Sequence, residues 1–166
     1  MPSKETIARA RKDKREGKSP STQAGEFVHE EIEHVREGKH GARSTKHAIA
    51  IGLSKARRAG VKLSPPRRGR ASKRTRDQAK RDLAKGRSGT TAKPSAKRSR
   101  AVRKALKREG RRAASSAALS RQARSSARRR GPGARSLAAK KASRTKGPAK
   151  RAAAARKAAR TRKARG

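Results

Sequence analysis

Cysteine, tryptophan and tyrosine are absent from this chain, and its one phenylalanine is Phe27. Without cysteine there is no disulfide framework, no thiolate nucleophile and no Cys-based zinc site, and nothing marks the chain for an oxidising compartment. Without aromatic platforms it lacks the surfaces on which single-strand readers stack bases. Acids are scarce after residue 37, where only Asp77, Asp82 and Glu109 occur. Long apolar runs are missing too. The longest, Ala48-Ile49-Ala50-Ile51-Gly52-Leu53, is far short of a membrane span, and the first residues are charged with no apolar stretch behind them. The expectation is a cytoplasmic protein with no membrane partner.

What is present is positive charge. The chain carries 53 Lys and Arg against 11 Asp and Glu, a net +42. Eight bases and eight acids balance within residues 1–37, so the whole excess lies in residues 38–166. A polycation this dense repels itself and attracts polyanions, which in a cell are chiefly nucleic acid.

Leu, Ile, Val and Phe number only fifteen, and nine of them fall in residues 25–64. That distribution predicts three regions. Residues 1–24 form a charged N-terminal segment, a weak solvated helix and a turn-rich linker. Residues 25–64 form a small all-α helical hairpin, and residues 65–166 form a long, mostly disordered basic tail with transient helices. In the hairpin, Phe27, Val28, Ile32 and Val35 build the apolar face of one helix, with Glu26, Glu30, Glu31, Glu33 and Glu37 on its solvated sides. Ile49, Gly52 and Leu53 face them from a second helix that Ser44 or Thr45 caps and Gly60 stops. The turn Gly38-Lys39-His40-Gly41 joins the two, and Gly52 lets them approach closely. Pro65 and Pro66 end the hairpin.

The candidate nucleic-acid ligands follow the charge. Lys39 and Arg43 flank the N-terminus of the second helix, and Lys55, Arg57 and Arg58 crowd its last turn. Arg67, Arg68, Arg70, Lys73 and Arg74 follow the prolines, and Arg98, Arg100, Arg103 and Lys104 lie in the next basic block. Arg128, Arg129, Arg130, Lys140, Lys141, Arg156 and Lys157 complete the set. Such residues neutralise phosphates with little sequence preference.

Catalytic groupings are not evident, and no cofactor is expected. His29 and His34 lie five apart, which turns the second ring away from the first, so the i, i+4 spacing of a zincin is missing. A looser metal site from His34, His40 and neighbouring carboxylates has no visible outer shell, and solvated helix surface is the preferred reading.

The segments Gln23-Ala-Gly-Glu-Phe-Val, Arg36-Glu-Gly-Lys-His-Gly-Ala-Arg-Ser44 and Ala48-Ile-Ala-Ile-Gly-Leu-Ser-Lys-Ala-Arg-Arg-Ala-Gly60 resemble a small bacterial family of unknown function over roughly residues 1–65. The resemblance brings no catalytic residues. It implies Gln at the position of His47, where Gln would complete a capping box with Ser44. The tail is similar in composition to the Ala/Lys/Arg-rich extensions of bacterial histone-like proteins and linker histones. The expected function is sequence-nonspecific DNA binding by a nucleoid-associated, histone-like protein. Two alternatives are an RNA-binding or ribosome-assembly chaperone, and a protein-interaction module tethered to the nucleoid. In the latter, residues 25–64 bind a protein partner or a second copy.

Overall fold

The computed structural model describes residues 2–89 and 95–164. Its elements are α1 (Lys4–Arg15), α2 (Pro20–Arg36), α3 (Thr45–Arg58), α4 (Lys73–Ser88), α5 (Ala96–Lys107), a 3-10 turn (Arg112–Ala114) and α6 (Ser116–Lys163). Serine marks where most of them begin. Ser3, Ser44, Ser72 and Ser95 accept from the backbone N–H groups of Thr6, His47, Thr75 and Arg98, satisfying donors that a helix start leaves unpaired. α2 starts instead on Pro20, well before the apolar pattern opening at Gly25, because proline suits the first turn and needs no N–H there.

The expectation of a mostly disordered tail is overturned. Among the described residues beyond Pro66, nearly all of the chain is helical, in α4, α5, the 3-10 turn and α6. The expectation for residues 90–94 and 165–166 lies outside the described residues. Three causes favour helix: the high propensity of Ala, Arg and Lys, the serine caps, and, for α4 and the segment after α5, docking onto the hairpin. No helix among the described residues is long and apolar enough to cross a membrane.

The chain divides into two compact units, Met1–Ser120 and Arg121–Gly166. In the first, α3 runs back along α2. Val35 clusters with Ala42 and Ala48 at one end, and Ala24 and Phe27 with Ala56 and Val61 at the other. Between them a Cβ on Gly52 would lie 2.7 Å from the Val28 Cα and 2.9 Å from the Phe27 carbonyl oxygen, so only glycine allows this approach. Val28 and Leu53 are partly buried against these clusters, and Ile49 is half-buried.

Flanking elements complete the first unit. α1 is not a frayed surface helix: Thr6 and Ala10 are buried, Ala10 packs beside Ala24 and Phe27, and Arg9 pairs with Glu26. α4 packs on α3, where a side chain on Gly86 would run into the Arg57 carbonyl. The end of α5 and the segment after it dock on the α2–α3 turn. The Gly41 N–H donates to the Leu106 carbonyl at 2.9 Å, Thr45 Oγ1 to the Ala113 carbonyl at 2.7 Å, and Arg36 Nε to the Ala114 carbonyl at 3.0 Å. Ala113 and Ala114 thereby join the core cluster of Ile32 and Val35.

The second unit holds the rest of α6. Its helix is interrupted at Gly131 (φ 75°) and Gly147 (φ 69°), each followed by a proline. Positive φ ends one helical stretch and the proline opens the next. The junctions repeat each other: Arg135 Nε donates to the Gly131 carbonyl and Arg151 Nε to the Gly147 carbonyl, both at 3.3 Å.

Candidate nucleic-acid interface and a buried histidine–carboxylate cluster

The basic residues separate into two groups according to what the fold does with them. Arg57 does not face solvent. It is 6 % exposed, and its guanidinium donates to the Leu63 carbonyl at 3.1 Å and the Ser64 carbonyl at 3.4 Å. Burial pulls its pKa below the ordinary arginine value, and Asp82 opposes that shift. It ties the chain leaving α3 to the helix and does not belong with the phosphate ligands. Lys55 is half-buried and pairs with the fully buried Glu31. Arg58 is exposed along its side chain, yet its Nε holds Asp82 Oδ1 at 2.7 Å. In the α2–α3 turn, Lys39 pairs with Glu37 at 2.7 Å and Arg43 lies 3.8 Å from Glu109, both remaining largely exposed.

The remaining candidates stand exposed. Arg67, Arg68 and Arg70 lie between α3 and α4, Lys73 and Arg74 open α4, and Arg98, Arg100, Arg103 and Lys104 line α5. In the second unit Arg128, Arg129, Arg130, Lys140, Lys141, Arg156 and Lys157 are exposed along α6. Residues 121–166 hold 18 Lys and Arg and no Asp or Glu.

The acids of α2 depart from the sequence-based expectation. Helical spacing puts Glu30 and Glu31 away from the apolar face, yet they are 7 % and 0 % exposed. α2 is covered by α1 on one side and by α3 with the 3-10 turn on another, and these two carboxylates fall under that cover. Glu30 Oε1 accepts from the Ser3 N–H at 2.7 Å. Glu31 Oε2 accepts from Lys55 Nζ, while Glu31 Oε1 is buried without a hydrogen-bond partner.

Two histidines converge on that carboxylate. His40 Nε2 lies 3.2 Å from Glu31 Oε1, and its Nδ1 donates to the Gly41 carbonyl at 3.1 Å. His34 and His40 meet edge to face with ring centroids 6.1 Å apart. Burial lowers the His34 pKa from its ordinary value, with the charges of Lys55 and Lys39 adding to the shift and Glu30 and Glu31 opposing it. The sequence offers this grouping but favours solvated helix surface for it, whereas here His34, in the last turn of α2, and His40, in the turn that follows, meet over a buried carboxylate. The other two histidines lie elsewhere: His29 is exposed on α2, and His47 Nδ1 accepts from the Arg43 N–H at 3.4 Å. That bond occupies the place of the capping-box glutamine, one residue before the cap itself.

No family model, curated protein or solved structure matches the chain.

Proposed function

We propose that this is a sequence-tolerant DNA-binding protein of the bacterial nucleoid, acting in the cytoplasm by neutralising and bridging phosphates. The resemblance of residues 1–65 to a bacterial family supports that setting. The observation that carries the reading is the distribution of charge. Ten of the eleven carboxylates of the first unit meet basic groups of that same unit, and residues 121–166 present 18 Lys and Arg with no Asp or Glu among them. Arginine and lysine on preformed helices lose less conformational freedom on binding than the same residues on an unstructured chain. An α-helix about 10–12 Å across matches the major groove of duplex DNA, about 12 Å wide, while the shortage of aromatics disfavours single-strand stacking. No catalytic step or cofactor enters this reading.

Fluorescence anisotropy of full-length protein on duplex DNA, duplex RNA and polyphosphate, each titrated with salt, tests it. Neutralising six exposed residues of α6 (Arg128, Arg129, Arg130, Lys140, Arg156 and Lys157) to Gln should flatten the log–log salt slope on DNA by about 5. An unchanged slope refutes α6 as the phosphate-binding surface. Tighter binding to RNA than to DNA makes the protein an RNA chaperone. Equal binding to all three polyanions leaves the nucleic acid an electrostatic anchor and transfers the function to a protein partner of the hairpin.

A further inference from the structure

Glu31 Oε1 is a fully buried carboxylate oxygen with no hydrogen-bond donor, although an imidazole nitrogen lies 3.2 Å away. The explanation lies in the direction of the ring. His40 commits its Nδ1 to the Gly41 carbonyl, which in the neutral ring leaves a lone pair on Nε2, 3.2 Å from the oxygen but directed to one side of it. Two lone pairs brought this close repel unless a proton or a cation lies between them. A proton on Nε2 does not serve, because Oε1 is off the line of a ring N–H and remains without a partner. Two ligands that converge on a third atom have this arrangement. For zinc bonds of about 2.0–2.1 Å at tetrahedral angles, the donor atoms lie about 3.3 Å apart.

His34 supplies the third donor. One ligating atom each from Glu31, His34 and His40 lies within 4.8 Å of the other two, and both histidines are only partly buried. The outer contacts are present as well. The Lys55 ammonium holds Glu31 Oε2, which leaves Oε1 free to turn inward, and the Glu30 carboxylate lies nearby, its Oε1 3.9 Å from His34 Nε2.

We propose that Glu31, His34 and His40 bind a divalent transition-metal ion of the zinc class, with the fourth position taken by water. Imidazole and carboxylate donors suit such an ion, and the site joins the end of α2 to the turn that leads into α3. The ion therefore staples the hairpin at the end where the segment after α5 docks, and binding stabilises the first unit.

Full-length protein stripped with EDTA and titrated with Co2+ alone is the test, read by the visible d–d bands of four-coordinate cobalt and by competition with Zn2+. One equivalent should bind. His34→Ala and His40→Ala should each weaken binding by more than the ~10-fold that loss of an outer partner costs, while His29→Ala and His47→Ala leave it unchanged. Absence of the four-coordinate spectrum, or equal weakening by all four histidine variants, overturns the site. The unaltered protein supplies a reading independent of folding defects. Zn2+ should shift the ring NMR signals of His34 and His40 and leave those of His29 and His47 in place, and a shift of all four or of none rejects the proposal.

Discussion

Residues 1–120 and 121–166 are written in much the same Ala, Arg, Lys and Ser alphabet and both are helical, yet they are held in different ways. All eleven acids lie in the first unit. Glu5 sits in the first turn of α1, where the backbone N–H and Ser3 lower its pKa. Each of the other ten carboxylates meets a basic group, and Glu31 and Asp82 do so from full burial. The second unit has no Asp or Glu side chain, and Leu137 is 70 % exposed. Its helix rests on backbone bonds, intrinsic propensity and local contacts such as Arg129 to Ser125. In this polycation, then, tertiary contacts gather where the few acids are, and the second unit carries its charge without Asp or Glu side chains.

Substitution at the tightest packing point should break this comparison most strongly. Gly52→Leu drives a side chain into backbone atoms of α2, and urea denaturation should show the first unit losing on the order of 3 kcal/mol or more. Leu137→Ala in the second unit should change helix content and stability within ~0.5 kcal/mol. Equal effects from the two would mean that the units are held alike.

Charge removal sharpens the contrast at the next level. Lys55→Met strands Glu31 in the interior and should cost on the order of 3 kcal/mol, since an unpaired buried charge is the expensive outcome. Lys157→Met, on exposed helix, should leave stability unchanged and slightly weaken DNA binding. If Lys55→Met melts with the wild type, the buried pair contributes nothing to the first unit.

The smallest effect is a pH dependence confined to the first unit. The lowered His34 pKa means the folded state resists protonation there, while the unfolded chain takes up a proton at its ordinary value near 6.5. That contribution is fully present above the unfolded value and is lost as pH falls through the folded one. In metal-free buffer, the melting temperature of the first unit should decline as pH drops below about 6.5, and His34→Gln should flatten the decline. An unaltered profile in the variant would assign the decline to other groups.

Much of the hairpin could be read from the chain. The Ser44 cap, the Gly60 stop and the stripe from Ala48 to Ala56 describe α3 closely, because capping chemistry and helical spacing are local. Alanine was the obstacle elsewhere. Ala113 and Ala114 look like any other pair in an Ala/Arg stretch, and they become core only because Thr45 and Arg36 bind their carbonyls. Asp82 is one carboxylate in a basic run, and its burial depends on Arg58 arriving from α3. In the tail two signals conflict, since low hydrophobicity argues for disorder while Ala, Arg and Lys with serine caps argue for helix. The caps at Ser72 and Ser95 were the signal that pointed the right way.

By itself the sequence determined the charge, its concentration beyond residue 37, the absence of thiols and near-absence of aromatics, and the start and stop of α3, since composition and capping need no distant neighbour. Only the tertiary structure decided which basic groups face solvent, that Arg57 does not, and that Glu31, His34 and His40 meet. Those outcomes depend on how α2, α3 and the segment after α5 pack, which brings together residues that helical periodicity alone keeps apart.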